Sequence, residues 1–251
     1  MEAATRLPRL AAVAFACTNE AMCNLYNVTT SQQAIIEWSR AMRDSVGNLE
    51  PALDIYPNYP APVVRNAPDG VRELARLQWG MPSPPAYVKG ADRGVTNIRN
   101  AGSPHWRRWL RPESRCIVPF NSFAEPSPTR DEGGRTPNVW FALDDSRPLA
   151  FFAGIWTPWH GVRRVKDGPG DFELYGFLTT VPNAVVGPVH PKAMPVILTT
   201  RDEIETWLTA PMQEALKLQR PLADDLLTIV SAPAKVEDVG PVAPGGQLPL
   251  L

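Results

Sequence analysis

Apolar positions along this chain come in short runs whose spacing keeps changing, and prolines interrupt most of them. Thr30 stands where a helix cap would, and Ala34, Ile35, Trp38 and Met42 then recur at helical spacing, which predicts a helix over 31–44. Residues 51–64 are rich in proline and read as extended, irregular chain ending in Pro62-Val63-Val64. From Val71 to Trp79 the pattern becomes strict alternation: Ala75, Leu77 and Trp79 with Arg76 and Gln78 between them, the mark of a half-buried strand. Residues 81–96 read as a loop, and Pro104 to Leu110 as a short helix. Strands follow at about 115–124, 138–144, 149–156 and 172–180, with surface loops at 126–137 and 158–171. A helical turn at Pro182, a strand at Met194–Thr199, helices at 201–208 and 211–218 and a strand at 226–231 complete the reading. The sum predicts an α+β fold of mainly antiparallel β-structure, a barrel-like sheet with small peripheral helices.

Composition narrows the class without naming a function. Hydrophobic residues make up 44% of the 251, which is ordinary for a globular chain. Proline, at 28 residues, is about twice its usual share and favours short strands and loops over long helices. The formal net charge of −1 argues against binding long duplex DNA by bulk charge, though a local basic groove stays possible. Three cysteines, Cys17, Cys23 and Cys116, do not make a disulfide framework, and the three histidines form no ligand spacing with them, so no metal is expected. No apolar run approaches the length that spans a bilayer. Arg6 and Arg9 ahead of Leu10–Ala16 imitate a leader feebly; the preferred reading of 1–21 is a mis-called start or a disordered extension. One domain is expected over 22–232, with a disordered tail over 233–251.

Four polar residues stand at the edges of apolar or proline-bounded segments: Cys23, Asn97, Glu125 and His190. Glu125 ends the run from Cys116 to Ala124, where a carboxylate can be desolvated and shuttle protons near neutrality. His190 lies between Pro188 and Pro191 in a rigid backbone. Asn97 follows a glycine-containing loop and could hold a reacting oxygen. Each also has an ordinary reading: a solvated loop glutamate, a turn histidine, a loop asparagine and a small buried cysteine. Met22-Cys23 adds a condition. If synthesis starts at Met22 and the methionine is trimmed, Cys23 carries a free α-amine and a thiol on adjacent carbons, which condense with an aldehyde to a thiazolidine. If it starts at Met1, Cys23 is internal and that ring cannot form.

Taken together, these pieces resemble the SOS-response-associated peptidase family, whose members crosslink to abasic sites in DNA. The resemblance rests on Met22-Cys23, Gln78-Trp79-Gly80-Met81-Pro82, Asn97-Ile98-Arg99, Arg115-Cys116-Ile117-Val118-Pro119 running on to Phe123-Ala124-Glu125, the segment Leu149–Trp156, and His190 with Met194-Pro195-Val196-Ile197-Leu198. It covers about 22–232. It implies a catalytic cysteine at Cys23, an asparagine holding the abasic sugar at Asn97, a proton-transferring glutamate at Glu125, and a histidine assisting ring opening and Schiff-base formation at His190. It implies a phosphate-contacting arginine at Arg99 and a tryptophan near the DNA path at Trp79. The chain departs from the family where Asn24 and Leu25 follow the cysteine instead of Gly-Arg, where Asn97-Ile98-Arg99-Asn100-Ala101 lacks the usual glutamate, and where Pro126 replaces the tryptophan after Glu125. These departures bear on DNA contacts more than on chemistry.

The implied partner is single-stranded DNA containing an abasic site, handled by a monomer in the cytoplasm, at the nucleoid when bound, without cofactor, metal or membrane. Arg99, Arg107, Arg108, Arg111 and Arg115 could line a groove, and Trp79, Trp106 and Trp109 could stack on bases; Trp106 and Trp109, three apart, could equally be the buried face of a short helix. Two other readings remain: a cysteine peptidase using Cys23, His190 and Asn97, and a barrel that binds single strands without covalent chemistry.

Overall fold

The computed structural model describes residues 25–233. The expected extension 1–21, Cys23 itself and the tail beyond Pro233 lie outside the described residues. The strands are β1 (Leu25–Val28), β2 (Arg43–Asp44), β3 (Ala52–Ile55), β4 (Pro60–Asn66), β5 (Arg72–Trp79), β6 (Asn97–Ile98), β7 (Arg115–Phe120), β8 (Ser122–Pro126), β9 (Asn138–Ala142), β10 (Ala150–Val162), β11 (Pro169–Thr180), β12 (Met194–Pro195), β13 (Ile197–Leu198) and β14 (Thr228–Val230). The α-helices are α1 (Gln32–Ser39), α2 (Pro104–Arg107), α3 (Arg201–Thr209) and α4 (Met212–Ala215).

Strands β11, β10, β7, β4 and β5 follow one another as neighbours, and β5 returns to β11 in parallel through Leu174↔Gln78 and Tyr175↔Trp79, which closes a five-stranded barrel. A second sheet, ordered β14-β9-β8-β1-β3, is antiparallel throughout. The architecture is therefore α+β with a barrel and small helices. The barrel's interior is aromatic: Phe120 and Phe152 stack at 3.9 Å between ring centroids, and Phe177, Trp79 and Tyr26 continue the cluster. Ring pairs of this kind hold strands together beyond the area they bury.

Several elements differ from expectation, each for a local reason. Ser31, not Thr30, caps α1 through its Oγ, and the helix stops at Ser39 because Arg40 turns into the left-handed region at φ 54°. Met42 therefore leaves the helical face and stands 80% exposed. The proline-rich stretch 51–64 is not irregular but holds β3 and the start of β4. Pro60 and Pro62 fit because this end of β4 pairs only with β5; β7 joins at Val64 and Arg65. The single strand expected over 115–124 is two strands in different sheets. At the corner Asn121 accepts the amides of Thr29 and Thr30 on its Oδ1 and donates to Thr30 Oγ1 and Arg147 O. The loop expected over 158–171 is mostly the β10–β11 hairpin, paired as far as Val162↔Pro169.

α3 forms where expected. Its Thr200–Glu203 capping box satisfies the first amides, and Trp207 is fully buried, donating its indole N–H to the carbonyls of Cys116 and Gly154. None of the described helices is long and apolar enough to cross a membrane.

Candidate functional site

Strand β11 organises the candidate residues. Tyr175, Phe177 and Thr179 lie two apart and so share the face that looks into the barrel core. Tyr175 Oη is 2.6 Å from Tyr26 Oη, with both rings buried, and burial first of all pushes the Tyr175 phenol well up. Phe177 is the parallel partner of Asn97, which sets the Asn97 side chain on the same inner face. Asn97 is 5% exposed and donates through Nδ2 to Thr96 Oγ1 at 2.9 Å. Thr179 and Thr180 pair with Pro195 and Met194, and so fasten the turn that carries His190.

His190 is held at two points. Its amide donates to Val186 O at 2.8 Å, closing the turn, and its Nδ1 lies 2.8 Å from Ala193 O and 3.3 Å from Ala193 N. Nδ1 is thereby tied to backbone.

Glu125 sits on a strand of the other sheet. Phe123 and Glu125 share one face of β8, and Phe123 packs on Phe120, Phe141 and Phe152. Glu125 is thus an inward-facing carboxyl, 1% exposed. Its neighbour Ala124 pairs with Leu25, and Phe123 pairs with Tyr26. β11 pairs with the strand that carries Asn97 and with the short strand that follows the His190 turn, while β1, which pairs with the strand of Glu125, touches β11 through Tyr26 and Tyr175. Cys23 precedes Leu25 by two residues and lies outside the described residues.

Cys116, the one cysteine among the described residues, is sealed in the barrel, and burial pushes its thiol up, only partly offset by Arg65. Gly154 is what lets it sit there, since a side chain at 154 would meet Cys116 Sγ at 2.8 Å. It is not a nucleophile open to substrate. Among the described residues no three His, Cys, Asp or Glu side chains gather as a metal site requires.

The residues expected to meet DNA divide. Arg99, Arg107 and Arg108 are exposed. Arg99 donates to Lys192 O, Gln219 donates to Arg99 O at 2.9 Å, and Arg108 lies 4.2 Å over the Trp109 ring. Trp79 offers no stacking face. It is fully buried, stacked on Tyr175 and Phe177, and its Nε1 donates to Thr96 O at 3.2 Å; it positions the loop that presents Asn97. Trp106 and Trp109 are 8% and 9% exposed and form the buried face of the α2 segment, packed on each other and on His105. Arg115 is 1% exposed and is no part of a groove. Two residues escaped the sequence reading. Thr179 Oγ1 is buried with no hydrogen-bond partner among the described residues, on the face shared with Asn97; a threonine pair closing an apolar strand was the signal for it. Gln219 bridges Arg99 O and Thr179 O, and nothing local announces it.

Residues 22–239 match the family described as SOS response associated peptidase (SRAP). A search of curated proteins found no match. Solved structures of similar fold include a protein from Bordetella bronchiseptica (22% identity, 83% of this chain and 100% of that one, TM-score 0.63). A protein from Bacteroides thetaiotaomicron is similar too (23% identity, 82% and 90%, TM-score 0.62), as is a phage-related protein from B. bronchiseptica (16% identity, 82% and 92%, TM-score 0.61). At these identities the likeness is one of fold.

Proposed function

The chain belongs to the SOS response associated peptidase family, and from that premise we propose that it captures abasic sites in single-stranded DNA covalently, through Cys23 once Met22 has been removed. The observation that carries this reading is the register of β1. It seats Leu25 against Ala124, so the strand that follows Cys23 runs beside the strand that holds the buried Glu125 carboxyl.

The chemistry follows from the groups. An abasic sugar in its open form exposes an aldehyde. A terminal α-amine, with a pKa of about 7.7–8.0, is roughly a tenth to a fifth neutral at pH 7, whereas a lysine is neutral only about four times in ten thousand. The Cys23 amine adds to the aldehyde carbon. The carbinolamine loses water, with the proton supplied from Glu125, to give the Schiff base. The Cys23 thiolate then adds to the same carbon and closes the thiazolidine, with the nitrogen regaining a neutral amine. His190, through Nε2, moves the proton at the sugar ring oxygen that opens the closed form, and Asn97 holds the sugar. Arg99, Arg107 and Arg108 contact phosphate.

The test incubates the chain beginning at Cys23 with an abasic single-stranded oligonucleotide and then denatures it. A heat-stable adduct is expected from the parent, none from Cys23→Ala, and a slowed one from Glu125→Gln. A full-yield adduct from Cys23→Ala overturns the assignment. Peptide cleavage without an adduct supports a cysteine peptidase built on Cys23, His190 and Asn97; salt-sensitive binding alone supports a non-covalent barrel.

A further inference from the structure

The turn between β3 and β4 carries two tyrosines that the rest of the fold leaves uncovered. Tyr56 is 41% and Tyr59 53% exposed, and their rings meet edge to face at 5.8 Å. Among the described residues they are the one pair of exposed large side chains whose rings touch each other.

The turn is fixed rather than loose. Tyr59 N donates to Tyr56 O, Asn58 N donates to Trp79 O at 2.8 Å, and Trp79 N donates to Tyr59 O at 3.0 Å. Asn58 takes the left-handed backbone, φ 67°, that the tight bend needs. Trp79, which clasps the turn, also bonds Thr96 O, the residue before Asn97. On its other side the turn follows Ile55, which pairs with Tyr26. Tyr26 faces Phe123 across the next pair, so Ile55, Tyr26 and Phe123 stand in one row with Tyr56 directly after it. At the usual strand spacing this row places the Ile55 backbone, from which the turn starts, roughly 10 Å from that of Phe123. The turn thus flanks β1 on one side as Glu125 flanks it on the other.

We propose that Tyr56 and Tyr59 form a stacking platform for an unpaired nucleobase adjacent to the captured sugar. The inference rests on the reading of single-stranded DNA as the partner. A rigid aromatic pair accepts the face of any base, which gives affinity without sequence preference. Burial, then Asp54 and Tyr59, push the Tyr56 phenol up, so its ring stays uncharged at neutral pH. Its contribution is independent of salt, unlike that of a phosphate contact.

The test measures equilibrium binding of an intact single-stranded oligonucleotide across a salt series, using the chain beginning at Cys23 and its variants Tyr56→Ala, Tyr59→Ala and Tyr59→Phe. Each alanine variant is expected to bind about ten-fold more weakly with an unchanged salt slope, and Tyr59→Phe within two-fold of the parent. Adduct yield on an abasic oligonucleotide at saturating DNA is expected to stay at the parent's value. Alanine variants that bind within two-fold of a parent that does form the adduct overturn the platform, as does a loss that changes the salt slope. If the parent forms no adduct yet the alanine variants lose ten-fold in binding, the platform stands and the covalent reading falls.

Discussion

The arginines of the barrel wall and those of the segment 99–111 carry the same charge into opposite surroundings. Arg65 lies between Glu73 at 2.8 Å and Glu173 at 2.6 Å, with its guanidinium 4.0 Å over the Trp156 ring. Arg115 donates to the carbonyls of Leu110, Trp207 and Ala210, so it ties the chain before β7 to the end of α3. Arg163 reaches from the β10–β11 hairpin to Asp92 O and Gly80 O; a side chain at Gly94 would meet its Nη1 at 2.5 Å. Arg107, Arg108 and Arg111 instead face solvent. A buried arginine whose hydrogen bonds end on protein carbonyls or carboxylates is a fastener, whatever the sequence around it. The second group is exposed, and there a phosphate can reach a guanidinium, although Arg108 also donates to His105 O.

The sharpest break of this contrast is Arg115→Ala, which strips the guanidinium from three carbonyls, two of them buried. We expect about 3 kcal/mol of destabilisation in urea unfolding; a loss below about 1 kcal/mol would mean that water replaces the guanidinium. Glu73→Gln comes next. Arg65 keeps Glu173, which limits the cost of breaking this buried pair to about 2 kcal/mol, read in the same way. The Arg107→Ala, Arg108→Ala double variant tests the other group. Its stability should stay within about 0.5 kcal/mol of the parent, while its single-strand affinity falls and its salt slope drops by about 0.7 per lost contact.

Arg72 is the intermediate case and gives the smallest effect. It donates to Ser39 O and to both oxygens of Glu205, and the bond to Arg72 holds the Glu205 carboxyl below its ordinary range. A depressed carboxyl stabilises the fold fully above its unfolded value and loses that contribution as pH falls through the folded one. The gap in unfolding midpoint between the parent and Glu205→Gln should therefore be present at neutral pH and close below about pH 4. Glu205 is 46% exposed in its side chain, so solvent keeps the gap small.

Local pattern made part of this legible. The alternation in 71–79 and the apolar runs at 149–156 and 172–180 are strands because each buries one face or both, and α3 announces itself through Thr200 and Glu203. What the pattern lacked was partner information. Pro60 and Pro62 are compatible with a strand only because β7 is absent beside them. Asn121 breaks a continuous apolar run only because it serves amides nearly a hundred residues away, at Thr29 and Thr30. Trp79 could be offered as a stacking face for a base because nothing nearby in sequence shows that Tyr175 and Phe177 cover it. At the site, Glu125 could be singled out by its place after an apolar strand, whereas its inward orientation depends on the parity of β8 against Phe123.

The Tyr26 anchor has a consequence for any group carried just upstream of β1. Its ring is locked among Trp79, Phe152 and Phe177, and its hydroxyl meets Tyr175. Three residues of chain reach no farther than about 11 Å, so under the proposed capture an amine three residues ahead of Tyr26 would act on a short tether, at a high effective concentration. Lengthening that leash by a few inserted residues between Cys23 and Leu25 would dilute the amine without altering one atom of it.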